Sequence, residues 1–348
     1  MNVEVNKTGR IAYIDALRGF IMLIVVIHHV SLMAFATDSA FEKWSYEFRM
    51  PLFFFISGFV MYRSSQIWSI KNTLHFLRKK LPNLIVSPFL FFLVFVYVYK
   101  LDLIESLSCP AKVGYWFTFM LFTYFLIYTV SQIVFDKLRM SSRNKDYGLI
   151  IIGLFVFLLA YGVSYLFLEK KNFWMGFIGG ANLKYFIFFV LGTLVRKHFL
   201  KFENMLDSTS MLLCSIIVFF MINVFYSPIN GAGAVCRLAF ILVSGCTSIV
   251  IGFALFRKYN QFFVSNNLIG KTLQIIGSRT LDIYLLHYFF IPRQLGEIFP
   301  LFSEHSLPII EFTCSLVIAL LIIAACLGVS AVLRISPSLG RFLFAAKK

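Results

Sequence analysis

Charge is scarce in this chain, and acidic charge scarcer still: Asp and Glu supply 16 of the 348 residues against 32 Lys and Arg, and all four together make up 14%. A soluble domain carries about 25%, so the composition has no means of covering a water-facing surface. Nine prolines and 20 glycines exclude a collagen-like or low-complexity chain. The six cysteines (Cys109, Cys214, Cys236, Cys246, Cys314, Cys326) show neither C-x-x-C spacing nor a nearby histidine, and five of them fall inside apolar runs. They read as small apolar residues, not as a disulfide frame or a metal site. No loop is long enough for a soluble domain, no fixed-period repeat is visible, and the lone G-x-G at Gly231 and Gly233 and the pair Gly179-Gly180 are loop punctuation. What is abundant is hydrocarbon: 59% apolar residues, 43 Phe and a mean hydropathy of +0.83. That excludes disorder and defines a multi-span membrane protein.

Apolar runs of about 17 to 25 residues suit a bilayer crossing. Ten such spans are predicted, at 13–35, 50–68, 83–101, 114–134, 148–168, 182–197, 210–226, 234–256, 280–299 and 308–333. The first follows Lys7 and Arg10 as a signal peptide would, yet it has no small-residue cleavage site and reads as a retained span. The net charge of +16 is distributed in short clusters between apolar runs, which is a topology signal and not a nucleic-acid surface. With a cytoplasmic N-terminus, 22 of the 32 basic residues fall on inner segments and nine on outer ones, while Arg18 lies within the first span. The expected fold is therefore all-α and integral to the membrane, about ten transmembrane helices with both termini cytoplasmic, forming a single domain over 1–348 with no appended soluble domain.

The first span, RIAYIDALRGFIMLIVVIHHVSLMAF, carries Asp15, Arg18, His28 and His29 in or beside hydrocarbon, where ionisable groups line a cavity or pair with one another. Arg18 and His29 are eleven residues apart, which at about 100° per residue places them on one helix face, separated by roughly 16 Å along the axis. His28 points about 80° away from Arg18 on the same arithmetic. Asp15 lies three residues before Arg18 and can brace its guanidinium. Arg18 sits near the inner end and His29 past the midplane, so one group could hold an anion while the other does proton chemistry. The 16 Å separation is comparable to an extended pantetheine arm. The plainer alternative is an ion pair at the membrane edge and a histidine pair bonded within the bundle.

In the second span, RMPLFFFISGFVMYRS, Pro51 suits a helix start and Ser57-Gly58 permits close backbone approach. Arg63, Lys71, Arg78, Lys79 and Lys80 then form the densest inner cluster, either a topology signal or the seat of a phosphorylated donor. Aromatics at 18% serve mostly for packing and the interfacial belt, although Trp116 or Tyr124 could line a sugar platform. His287 and Asp282 in TLDIYLLHYFF read first as helix-contact groups, and Glu311 at the head of the tenth span as a second acid/base or an interfacial charge.

Five segments in order resemble the membrane acyltransferase-3 family, bacterial integral-membrane O-acyltransferases that modify surface glycans. They are YIDALRGFIMLIVVIHH, with Arg, ten residues, then His; MPLFFFISGF; FLRKKLPNLIVSPFLFF; KYFIFFVLGTLVRKH; and LQIIGSRTLDIYLLHYFFI. The nearest subgroup in pattern is the polysaccharide or fucose O-acetylases. Two departures stand out: Arg49 replaces a histidine common before Met-Pro, and Pro82-Asn83 follow Lys80 where further basic residues are usual. The resemblance implies an O-acetyltransferase of the bacterial cytoplasmic membrane, with acetyl-CoA or another acyl-CoA as donor substrate and no permanently bound cofactor or metal. The implied partners are the bilayer and a glycan or lipid-linked sugar acceptor, with no nucleic acid and with room for a homodimer. Catalysis is assigned to His29, Arg18 and Asp15, donor contacts to Arg63, Arg78, Lys79 and Lys80, and the acceptor side to Trp116, Tyr124, His287 and Glu311. The rival class is a transporter or flippase using the same Arg and His, against which no inverted repeat or pair of matching broken helices is seen.

Overall fold

The computed structural model describes residues 11–35, 40–167, 173–225, 233–264, 267–293, 295 and 308–344. Every regular element among them is helical, as expected where the backbone must satisfy its own hydrogen bonds in hydrocarbon. In chain order they are α1 (Ala12–Val30), extended by a π-helical turn (Ser31–Phe35), α2 (Ala40–Met61), α3 (Ile70–Leu81), α4 (Ser87–Val98), α5 (Leu103–Ser108), α6 (Trp116–Lys137), α7 (Ser142–Phe167), α8 (Phe173–Ile178) and α9 (Phe186–Lys197). There follow α10 (Phe199–Asp207), α11 (Thr209–Phe225), α12 (Ala234–Lys258), α13 (Asn260–Val264), α14 (Leu268–Ser278), α15 (Thr280–Phe290), α16 (Pro308–Leu333) and α17 (Pro337–Phe344).

Seven described segments are long and apolar enough to cross a bilayer: Ala12–Phe35, Ile70–Val98, Trp116–Lys137, Ser142–Gly162, Gly176–Lys197, Val235–Lys258 and Ile309–Leu333. An eighth is the pair α10 and α11, bent by 75°; the Ser208 hydroxyl accepts from the Met211 amide at 3.3 Å and starts α11 anew. The predicted spans 50–68 and 280–299 do not reach the same measure. α2 begins at Ala40, and its first half carries Glu42, Lys43, Glu47 and Arg49. Pro51, expected at a helix start, lies inside it, where its missing N–H interrupts the ladder. α15 has 11 residues, and positions 296–307 lie outside the described residues.

The chain forms two compact units, one from residues 1–53 and 200–335, the other from 54–199 and 336–348. In the first, α1 is enclosed, with Ala12, Ala16, Leu17, Ile21, Val26 and Val30 all buried. Its crossing with α14 is a backbone contact: a Cβ on Gly19 would lie 1.9 Å from the Leu273 carbonyl oxygen, and one on Gly277 1.7 Å from that of Asp15. Edge-on packing of Tyr13 against Phe253, with ring centroids 5.9 Å apart, sets α1 against α12. Arg257 closes α12 onto α10 through Glu203 at 2.5 Å and Asp207 at 2.7 Å. Asp282, 1% exposed, is held by Arg334 at 2.8 Å and by the Ser330 hydroxyl, joining α15 to the end of α16. This matches the helix-contact reading of Asp282.

The second unit has an aromatic core in which Phe54 meets Phe117 at 4.7 Å, Tyr124 at 4.9 Å and Tyr185 at 5.6 Å. The close approach expected at Ser57-Gly58 is present, since a Cβ on Gly58 would lie 2.0 Å from the Phe189 carbonyl oxygen. The connection before α6 is pinned by Lys112, whose Nζ donates to the carbonyls of Leu107 at 3.2 Å and Gly176 at 3.0 Å. Burial pushes that ammonium down to about 8. Ser87 of α4 donates to the Leu343 carbonyl at 2.8 Å and ties in α17.

Candidate functional site

The polar residues of α1 meet α15 at two levels of the first unit. Near the start of both helices, Arg18 Nη2 donates to Thr280 Oγ1 at 2.8 Å, while Nη1 pairs with Asp15 at 3.6 Å. The Gly19–Gly277 crossing, one residue from Arg18 and three from Thr280, brings these backbones close enough for the bond to form. Toward the other end of both helices, His29 Nδ1 lies 3.0 Å from His287 Nε2, and His29 Nε2 lies 3.2 Å from the Tyr288 hydroxyl. The rings stack, with His29 and His287 centroids 5.1 Å apart and 23° between planes. Arg18 pairs with Thr280 and His29 with His287, so α1 and α15 run parallel.

The hydrogen-bond directions follow from the one partner that can only accept. His287 Nδ1 lies 2.9 Å from the Ile283 carbonyl, so that nitrogen carries the proton and Nε2 offers a lone pair. His29 Nδ1–H then donates to it, and the Tyr288 O–H donates to the lone pair on His29 Nε2. The chain is complete with both rings neutral. It aims the basic nitrogen of His29 at a hydroxyl group, which is the type of atom a general base must reach.

Two further buried polar groups belong to the same unit. Ser31, in the π-helical turn two residues past His29, donates to Glu311 Oε1 of α16 at 2.6 Å, and both side chains are buried. Arg49, 1% exposed, donates to Ser45 Oγ at 3.2 Å and lies 5.3 Å from the centroid of the Tyr46 ring. Arg49, the departure noted in the sequence, thus sets a buried guanidinium in the first unit where an imidazole was expected.

The first unit thus brings together Asp15, Arg18, His29, His287 and Glu311. Thr280, Tyr288 and Ser31 are additions that sequence reasoning missed. Tyr288 follows His287 directly, but no short-range pattern says that it faces a residue 259 positions away. The other predicted residues belong to the second unit. Arg78 and Lys79 are exposed on α3, and Lys80 lies over the rings of Phe76 at 5.7 Å and Phe125 at 5.8 Å. Arg63 lines a cavity of about 210 Å³ together with Trp68, Tyr128, Lys145, Asp146 and Lys197. Trp116 is half-buried against Phe54 and Tyr185. Tyr124 needs correction as an acceptor platform: it is 0% exposed, its hydroxyl donates to the Asn182 carbonyl at 2.5 Å, and Phe54, Phe186 and Phe189 pack around its ring. It is a core residue, with no ring face open to a sugar.

Among the described residues no cluster of three or more His, Cys, Asp or Glu side chains has the geometry to hold a metal. Apolar helices of spanning length, with a buried imidazole chain in one unit and a basic cavity in the other, define a multi-pass helical membrane protein with a buried polar site. Residues 11–328 match the family described as the acyltransferase domain, the acyltransferase-3 family, and the chain belongs to it. It is a membrane acyltransferase. No curated protein and no solved structure matches it.

Proposed function

We propose that the protein transfers an acetyl group from acetyl-CoA to a sugar hydroxyl of a cell-surface or lipid-linked glycan, in the cytoplasmic membrane of a bacterium. The observation that carries this reading is the oriented lone pair on His29 Nε2, held by His287 and met by the Tyr288 hydroxyl. An acceptor hydroxyl replacing the Tyr288 contact gives its proton to Nε2 while its oxygen attacks the thioester carbonyl. The positive charge gained by His29 is shared through Nδ1–H with the lone pair of His287. Collapse of the tetrahedral species breaks the carbon–sulfur bond, and the departing thiolate recovers the proton from His29. A new ester and a free thiol result, with no net proton change.

Arg18 lies too far along α1 from His29, roughly 16 Å for eleven residues, to stabilise the reacting oxygen. Braced by Asp15 and bonded to Thr280, it suits the donor's pyrophosphate, which an extended pantetheine arm separates from the thioester by a similar length. Arg63, Arg78, Lys79 and Lys80 add cationic surface for the same donor. Glu311, joined to the helix end beside His29 through Ser31, and the half-buried Trp116 are the acceptor-side groups of this reading.

The decisive experiment gives purified full-length protein, in detergent, radiolabelled acetyl-CoA and an undecaprenyl-linked oligosaccharide mixture. Label should appear in the glycan as alkali-labile ester, and not when His29→Ala protein is used. A transporter or flippase, the rival reading, would move a solute in vesicles and form no ester.

A further inference from the structure

Both ring nitrogens of His29 are taken up: Nδ1–H by His287 at 3.0 Å, and the Nε2 lone pair by the Tyr288 hydroxyl at 3.2 Å. The two partners are not equivalent. His287 is 0% exposed and is itself held, one turn further inside α15, by the Ile283 carbonyl at 2.9 Å. Tyr288 lies in the last turn of that helix, and Pro292, four residues on, has no N–H to offer its carbonyl. The orienting imidazole is therefore anchored within the helix, whereas the hydroxyl sits where the ladder stops.

What the Tyr288 contact excludes follows from the chemistry of the base. A positioned lone pair on an imidazole activates any hydroxyl that reaches it, and water is the smallest. His29 is half-buried, so burial alone does not keep small molecules from it. Water in the place of the Tyr288 hydroxyl would give a proton to Nε2 while its oxygen attacked the thioester carbonyl. The carbon–sulfur bond would break and the thiolate would recover that proton, leaving a carboxylic acid and a thiol. The donor would be consumed with no ester formed. Tyr288 competes with water for the same lone pair, and with more than its hydroxyl: it is 2% exposed, and its ring centroid lies 3.9 Å from that of His287 and 4.9 Å from that of His29. Water displacing it would exchange one hydrogen bond for another and forfeit these ring contacts. A glycan can displace it, because contacts made by the rest of the acceptor offset the same loss.

We propose that Tyr288 decides which nucleophile the site admits: its hydroxyl covers the basic nitrogen of His29 against water and yields it to the acceptor hydroxyl, so that the thioester is cleaved only when a glycan is present. The assignment rests on the acyl-transfer reading above and adds to it the choice between transfer and hydrolysis.

The first test reads the nitrogen without turnover. Diethyl pyrocarbonate acylates an imidazole nitrogen whose lone pair is open, and in full-length protein in detergent it should modify His29 slowly, as located by peptide mass. Tyr288→Phe keeps the ring and removes only the hydroxyl, and should speed that modification about five- to tenfold, the equivalent of one net hydrogen bond. The second test follows thiol release from acetyl-CoA with and without the oligosaccharide acceptor. Without acceptor, wild type should release little, Tyr288→Phe about five- to tenfold more and Tyr288→Ala more again, and adding His29→Ala to Tyr288→Phe should abolish the release. With acceptor, Tyr288→Phe should keep kcat for transfer and lower the acceptor KM, since no hydroxyl has to be displaced. An unchanged rate of His29 modification together with an unchanged ratio of hydrolysis to transfer would overturn the proposal. So would loss of both reactions in a Tyr288→Phe protein that unfolds at the wild-type temperature, or recovery of acetyl-Tyr288 from wild type, which would make the phenol a nucleophile. Faster His29 modification in Tyr288→Phe, in a protein whose wild type transfers no acetyl group, would retire the reaction and keep Tyr288 as the cover; wild-type transfer with modification and ratio both unchanged in Tyr288→Phe would do the reverse.

Discussion

His28 and His29 are indistinguishable by composition, yet the bonds to α15 run through His29, whose two nitrogens meet His287 and Tyr288. His29→Ala should abolish acetyl transfer, a loss of about 10²- to 10⁴-fold for a positioned acid/base, whereas His28→Ala should be milder. His287→Ala should fall between them and His287→Gln should recover part of the loss, because a Gln amide oxygen can accept from His29 Nδ1–H. Arg18→Lys should also impair transfer, since one ammonium cannot reach both Thr280 and Asp15 as a fork does. Glycan acetylation in cells, normalised to membrane-inserted protein, checks all five. Near-normal transfer by His29→Ala beside an inactive His28→Ala would refute the assignment. That His29 shares a face with Arg18 could be read from the sequence because α1 is regular from Ala12 to Val30. Its partner could not: His287 looked like one more packing histidine until folding closed a gap of 258 residues.

At the scale of helices, the α1–α14 crossing is the contact on which the Arg18 level depends. Gly19→Ala places a methyl group where the Leu273 carbonyl stands, so the helices must separate. Overpacking of this kind costs about 1–3 kcal/mol or more. The control is Gly162→Ala in α7, where an added Cβ meets nothing within 4 Å and the gain in helix propensity is about 1 kcal/mol. Thermal unfolding in detergent should therefore fall for the first and hold or rise for the second; equal midpoints would mean that the α1–α14 contact is not tight. Long, evenly apolar helices such as α12 and α16 were legible because hydrophobic length alone defines them. α2 was misplaced because its start is polar, and an internal proline resembles an initial one when no packing is known. The predicted span 280–299 runs past Phe290, where α15 ends ahead of Pro292, and positions 294 and 296–299 lie outside the described residues.

For the whole molecule, the charge bias makes a claim that the second unit bears on: Arg63, Lys145 and Lys197, assigned to inner segments from three separate stretches of sequence, surround one cavity. In a background without native cysteines, single cysteines near 40, 105, 172 and 302 should react with an impermeant thiol reagent from outside, and one at 140 should not. Reaction at 140 would invert the topology. The pairing of Asp282 with Arg334 also governs the order of assembly during synthesis. A carboxylate on an 11-residue helix is a poor candidate for independent insertion; Arg279 pairs with it at 3.6 Å from the residues just before, but the closer partner, Arg334 at 2.8 Å, is made 52 residues later. The α15 segment is therefore expected to seat stably only once the chain has been synthesised past residue 334. Ribosome-tethered chains halted before that point should leave a cysteine placed near residue 290 open to labelling, and chains halted well beyond it should protect the same cysteine. α16, which ends beside Arg334, acts in this way as the trigger for seating the helix that carries His287, so the imidazole chain is completed only after α16 has been made.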